Sequence, residues 1–193
     1  MKTKFFTLLT LLFSFQSLWA QTYQIDSGHS AVQIQVQRFG VVDVVGRFKA
    51  VGGSIEFNDK NPGATKARAV IQVDSYDANN IGGEQAVKSP AFLDAANYPE
   101  ITFKSESAIL KDGQMYLVGD LTIHGTTNEI ELPCKIIGPL LDLPTQKQSI
   151  AFIASTTINR QDYGVTFDRA LPDGTQVVSN EVKISLNVLA ITE

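Results

Sequence analysis

Asp26, His29 and Ser30 fall within one five-residue stretch and include the three residue types of a hydrolytic triad. On a strand, adjacent residues point to opposite faces, so His29 and Ser30 cannot readily converge on one substrate. No Gly-x-Ser-x-Gly elbow is present to lift a serine nucleophile above a sheet. Asp120 and His124 share strand parity, yet four strand residues separate them, roughly 13 Å along the chain. Two histidines and a lone cysteine stand at no spacing that a transition metal requires. The reading is therefore no catalytic residue, no metal and no cofactor, with a secreted hydrolase using His29 or His124 kept as an alternative.

Other polar candidates suit binding better than turnover. Arg160, between Asn159 and Asp162, can grip a carboxylate or diphosphate bidentately, or can close a structural pair with Asp162 or Asp26. Arg38, beside Phe39, is a second candidate for a head group, and His29 a third. Arg47 is opposite in parity to Phe48 and reads as solvated. Cys134 follows Leu132-Pro133 in an apolar strand and reads as a buried, inert thiol.

The elements that position these residues are strands. Val32, Ile34 and Val36 alternate with Gln33, Gln35 and Gln37, and Val182, Ile184, Leu186 and Val188 repeat the pattern near the end. Further strands are expected at 44–57, 66–74, 100–110, 114–123, 129–137 and 149–158, giving eight. Turn signals fall at 58–63, 111–113, 124–126 and 138–144. Strands at this spacing, joined by hairpin-length turns, favour an antiparallel sheet closed on itself. Alternation stops over 75–98, where Ser89 can cap a short helix beginning at Pro90 and a second turn is expected over 84–88. This segment is expected to pack Phe92 and Leu93 over one barrel mouth.

Residues 1–20 pair Lys2 and Lys4 with an apolar run ending at Ala20, which reads as a secretory signal peptide. Removing both lysines would take the net charge from −4 to −6. No basic cluster exists for nucleic acid to bind. Residues 21–193 then form one domain, large enough for a continuous core without crosslinks.

The stretches SPAFLDAANYPEITF, GDLTIHGTT, YQIDSGHSAVQIQV, VVGRFKAVGGSIEF, NRQDYG and VSNEVKISLNV occur in an order and spacing that resembles the YceI-like family of small periplasmic lipid-binding barrels. The resemblance runs through nearly all of the chain after residue 20. It implies a lipocalin-like eight-stranded antiparallel barrel with a short helical lid, in the periplasm, enclosing a polyisoprenoid or similar long-chain amphiphile. Two departures stand out. The family often carries a histidine where Arg38 stands, and an Arg-Asp-x-His-Leu pattern where this chain reads Gly83-Glu84-Gln85-Ala86-Val87. A less charged guest, such as a fatty amide, quinone or prenol, thereby becomes reasonable beside a fatty acid.

Eight strands leave room for side chains alone or for one slim ligand. Strand parity and the lid nominate Phe48, Ile55, Ile71, Phe92, Leu93, Ile101, Phe103, Leu121, Ile123, Phe152 and Ile158 as the ligand-facing set. Phe57, Val73 and Leu117 share the inward parity, and Gly119 and Ala154 are expected to leave gaps there. Parity cannot tell inside from outside, so an eight-stranded outer-membrane barrel remains the other architecture. Pro133 within a strand and the lack of paired aromatic girdles argue against it. Monomer and homodimer both stay open.

Overall fold

The computed structural model describes residues 20–193, so the expected signal peptide lies outside the described residues apart from Ala20. Eleven strands form one sheet: β1 (Gln21–Ile25), β2 (Ala31–Arg38), β3 (Val42–Phe48), β4 (Val51–Phe57), β5 (Lys66–Gln72), β6 (Tyr76–Asp77), β7 (Glu100–Lys111), β8 (Gln114–Ile123), β9 (Thr126–Asp142), β10 (Lys147–Asn159) and β11 (Val178–Thr192). The order β1-β4-β5-β7-β8-β9-β10-β11 closes when β11 pairs with β1, which makes an eight-stranded antiparallel barrel.

The three extra strands continue staves of the same barrel. β2 follows β1 along β11, β3 precedes β4, and β6 extends β5 to pair with β3. A 3-10 turn at Ser27–His29 interrupts the first stave, and Lys49-Ala50 interrupts the second beside it. Ser27 spans both breaks, because its hydroxyl donates to the Lys49 carbonyl at 3.1 Å and accepts from the Val51 N–H at 3.3 Å. Backbone groups left unpaired by the kinks are thereby satisfied in part.

Asp112-Gly113 and His124-Gly125 form the two tight hairpin turns that the sequence signals, each with both residues at positive φ. The turn expected at 138–144 lies later. β9 runs through Gly138, which takes φ +113° at a register shift, and the chain reverses only after Asp142. A bulge, not a turn, uses this glycine.

The lid matches expectation in part: the turn expected over 84–88 lies inside a longer helix, and no helix begins at Pro90. Its helix, α1 (Ile81–Lys88), precedes Ser89, and Ser89 is its C-cap. Asn80 caps the start by accepting from the Gly83 N–H, and Glu84 reaches back to the N–H groups of Ala78 and Asn80. Together these two side chains satisfy three backbone donors at the helix start, while Ser89 Oγ accepts from the Ala91 N–H and caps only a turn. Residues 90–98 follow as successive turns folded back on α1, with Leu93 N–H bonded to Val87 O and Ala95 N–H to Lys88 O.

One end of the barrel is filled. Tyr23, Phe57, Met115, Leu117, Leu132, Cys134, Ile150 and Ala190 pack there with their neighbours. Leu117 and Phe57 therefore belong to this plug, and Ala154 with them. Gly119 opens no gap either. A Cβ there would lie 2.3 Å from the Lys104 carbonyl oxygen and 2.7 Å from the Ser105 Cα, at the bulge where β7 shifts register. Gly119→Ala is expected to lower unfolding free energy by about 2–3 kcal/mol, as overpacking against rigid backbone does. Urea denaturation of the variant beside the parent measures it.

Candidate functional site

Above the plug the barrel is hollow, with a cavity of about 850 Å³. It opens toward the lid end. Ile34, Ile71, Phe103, Ile158 and Leu186 stand at inward parity yet are only half-buried, since they face this space. Ala67 and Ala69 of β5 provide width on one wall. The outer wall carries Gln33, Gln37, Lys104, Glu106, Asp120, Glu129, Glu131, Lys135 and Lys183, all exposed. Charges spread over this face make it a poor lipid belt, which removes the outer-membrane barrel.

All eleven residues nominated by parity and lid position line the cavity: Phe48, Ile55, Ile71, Phe92, Leu93, Ile101, Phe103, Leu121, Ile123, Phe152 and Ile158. Val73 is buried in the packed cluster beside it instead. Among the described residues, no aspartate, glutamate, lysine or histidine lines the space. Its polar points are Arg38 at the mouth, Arg160, Asn80, Ser89, Thr156, Tyr76, Tyr163 and the Arg68 stave. Burial holds the Tyr76 and Tyr163 phenols above their ordinary pKa, so both stay neutral.

Two flaps cover the mouth, one more than the sequence indicated. The first is α1 with residues 89–98, tied down where the Tyr98 ring meets the His124 ring at 4.4 Å. The second runs from Arg160 to Val177 and delivers Tyr163, Val165, Phe167 and Val177 to the cavity. The flaps meet through Phe92 and Phe167, whose ring centroids lie 4.8 Å apart. A sequence signal for the second flap existed in Leu171-Pro172-Asp173-Gly174, a turn between two strands with no alternation around it.

The wall itself splits beneath that flap. The β9–β10 ladder ends at the Cys134–Ala154 pair, one residue before Pro133, whereas β8 stays paired with β9 through Tyr116–Pro133. Proline lacks the N–H that the β10 side would need. Residues 160–164 fill the wedge, and Asn128 Nδ2 donates to the Asp162 carbonyl at 3.0 Å.

Arg160 organises the second flap and pairs with neither Asp162 nor Asp26. Nε donates to Ser179 O at 3.1 Å, one terminal nitrogen to Val165 O at 2.6 Å, and the other to Phe167 O at 2.6 Å and Asn180 Oδ1 at 2.7 Å. Only 5% of the residue is exposed, and this desolvation lowers its pKa, though a guanidinium stays charged. Its work in the structure is to staple the flap's two ends. Arg38 is exposed at the mouth, its guanidinium carbon 4.4 Å from the Phe39 ring centroid.

His29 does not reach the cavity. It lies on the outside, its side chain 74% exposed, with Nδ1 2.7 Å from Asp26 Oδ2. Ser30 ignores it, donating instead to the Asp26 carbonyl at 2.6 Å and accepting from Leu189 N–H at 3.1 Å. The three residues thus tie the kinked first stave to β11 and form no proton relay. The hydrogen bond with Asp26 raises the pKa of His29 and lowers that of Asp26. Stability from His29 is present below the ordinary imidazole range and is lost as pH rises through its raised value. Stability from Asp26 is lost as pH falls through its lowered value. His29→Gln is expected to shrink the difference in Tm between about pH 5.5 and about pH 8.5, read by calorimetry.

Cys134 is buried in the plug, where desolvation pushes its pKa up to about 11. The thiol is therefore inert in the folded protein. Among the described residues no cluster of His, Cys, Asp and Glu is placed to hold a metal ion, and no helix is long and apolar enough to cross a membrane.

Known proteins share this architecture. The chain is similar to the crystal structure of Burkholderia cenocepacia BcnA, with a TM-score of 0.74 at 23% identity, covering 86% of this chain and 99% of that one. It is also similar to a polyisoprenoid binding domain from Saccharophagus degradans implicated in plant cell wall breakdown, with a TM-score of 0.69 at 16% identity, covering 90% and 99%. Protein YceI of Salmonella arizonae and that of Salmonella paratyphi B are each 30% identical over 190 residues, spanning 97% of this chain and 96% of theirs. The family described as YceI-like domain matches residues 23–190. With that match running from β1 to residue 190, near the end of β11, the chain belongs to the YceI-like family.

Proposed function

We propose that this protein is an exported carrier that sequesters a polyisoprenoid or similar long-chain amphiphile in its barrel, without catalytic turnover. The observation that carries the reading is the cavity of about 850 Å³ whose wall, among the described residues, holds no carboxylate, lysine or histidine. That volume sits toward the upper end of the roughly 300–1,000 Å³ of small-molecule sites, and its walls are more uniformly apolar than orientation of a small metabolite needs. At roughly 30 Å³ per water-sized unit it takes about 28 such units, the scale of a long hydrocarbon chain.

Burial of about twenty methylenes at roughly 0.8 kcal/mol each gives about 16 kcal/mol, of which about 4–15 is offset by lost translational and rotational freedom. Only a long chain leaves a useful surplus. A quinone, fatty acid or fatty amide fits the same arithmetic when its tail is of that length. The polyisoprenoid-binding neighbour from Saccharophagus degradans supports the prenyl form of this reading, and the signal-like segment before residue 21 supports export to the periplasm.

Native mass spectrometry and solvent extraction of the purified protein test it together. The expected result is a bound mass whose extract is one long-chain, mainly hydrocarbon molecule. A guest-free protein that also fails to take up farnesol-length and longer prenols would refute the proposal.

A further inference from the structure

The mouth of the cavity is rimmed by apolar side chains that face water. Val41 is 85% exposed, Val42 52%, Ile81 75% and Leu171 39%. They come from three separate segments: the β2–β3 hairpin tip, the start of α1, and the tip of the second flap. The same three segments supply Val42, Gly82 and Val177 to the cavity lining. The hairpin tip and the flap touch, with Phe39 N–H bonded to Val177 O at 3.0 Å and Gly40 packed against Thr175. Large apolar residues are a poor choice for a hairpin tip in water, and Phe39 adopts φ +52°, where Gly or Asn is ordinarily found. The interior surface is thus continuous with an apolar rim outside it.

We propose that this rim is a docking surface for a phospholipid bilayer, through which the guest passes between membrane and cavity without crossing water. The inference rests on the carrier reading for its purpose but not for its test. An amphiphile with a long hydrocarbon tail resides in a membrane, and desolvating its tail in transit would forfeit about 0.8 kcal/mol per methylene. Seating the mouth on the bilayer removes that barrier. Arg38 and Arg169 flank the apolar tips and hold no ion pair among the described residues, which leaves them to meet lipid phosphates. Asp43, Asp168 and Asp173 stand close by in sequence and oppose them in charge. Apolar insertion, not net charge, therefore governs the docking, and a zwitterionic surface is sufficient.

The experiment is flotation of the purified protein with phosphatidylcholine vesicles. The parent protein is expected to float with the vesicles to a similar extent at low and high salt. Val41→Asp and Ile81→Asp each lower partitioning by about tenfold or more, since a charge then replaces an inserting side chain. Neither residue lines the cavity, so guest content by native mass spectrometry stays at the parental level. Leu143→Asp, at the exposed β9–β10 hairpin on the opposite end, leaves flotation unchanged. No flotation of the parent protein overturns the proposal, as does loss with Leu143→Asp in place of the rim variants. Binding only to anionic vesicles, abolished by salt, overturns it too. A guest-free protein that floats defeats the carrier reading alone.

Discussion

Phe103→Asp is expected to empty the barrel. Phe103 lies in β7, half-buried, where the packed plug meets the cavity, and it packs against residue clusters on both sides. An ionised carboxylate there faces apolar side chains, with Arg160 held by flap acceptors and Arg68 paired with Glu106 on the outside, and must draw in water or take up a proton. Either outcome disfavours a hydrocarbon neighbour. Guest occupancy is expected to fall by about 100-fold or more, a loss of roughly 2.7 kcal/mol in binding. Uptake of a fluorescent prenol or fatty-acid probe measures it, with Phe103→Leu as the control that keeps binding. Retention should recover in part at acid pH as the carboxyl becomes neutral. Full retention by Phe103→Asp at neutral pH would mean that the guest does not touch this wall.

Arg160→Ala is expected to produce the largest loss of stability. Truncation strips donors from the carbonyls of Val165, Phe167 and Ser179 and from Asn180 Oδ1 in one step. Each orphaned buried acceptor costs about 1–3 kcal/mol, and partial hydration of the loosened flap keeps the total to about 3–5 kcal/mol. For a domain of this size that is a fall in Tm of roughly 10 °C or more. Lysine is not an adequate substitute, because one ammonium cannot span acceptors arrayed around a planar fork. Thermal unfolding of Arg160→Ala and Arg160→Lys separates the two roles of this residue. Parental stability in Arg160→Lys would show that charge alone matters, whereas parental stability in both would overturn the staple. Loss of the staple also frees Phe167 from Phe92, so guest exchange should quicken in the same variant.

Much of the wall was legible because strand parity is a local property. Val32, Ile34 and Val36 on one stave and Ile184 and Leu186 on another face inward as their alternation indicates. The hairpins at Asp112-Gly113 and His124-Gly125 were legible for the same reason, since a two-residue turn needs both positions at positive φ. The helix expected from Pro90 is replaced by turns because, although Ser89 Oγ accepts from the Ala91 N–H, the following N–H groups of Leu93 and Ala95 bond back to carbonyls of α1, a tertiary pairing no local start signal encodes. Gly119 and Ala154 show a different limit. Both face inward, but parity carries neither height along the barrel axis nor the position of a bulge: Ala154 sits in the packed end, and the backbone of β7 at its register shift fills the space beside Gly119. Arg160 was singled out as a polar candidate, yet its acceptors come from residues five to twenty positions away and only the folded flap gathers them.

The order of apolar and polar residues by itself determined eight staves, one dry face and an all-β architecture, because side-chain direction alternates with each residue of an extended chain. Tertiary structure alone decided that the dry face points inward, that one end is plugged while the other stays hollow, and that a second flap shares the mouth with the first. Those outcomes depend on how staves are staggered at closure, which shifts residues of equal parity to different depths, and no local pattern encodes that stagger.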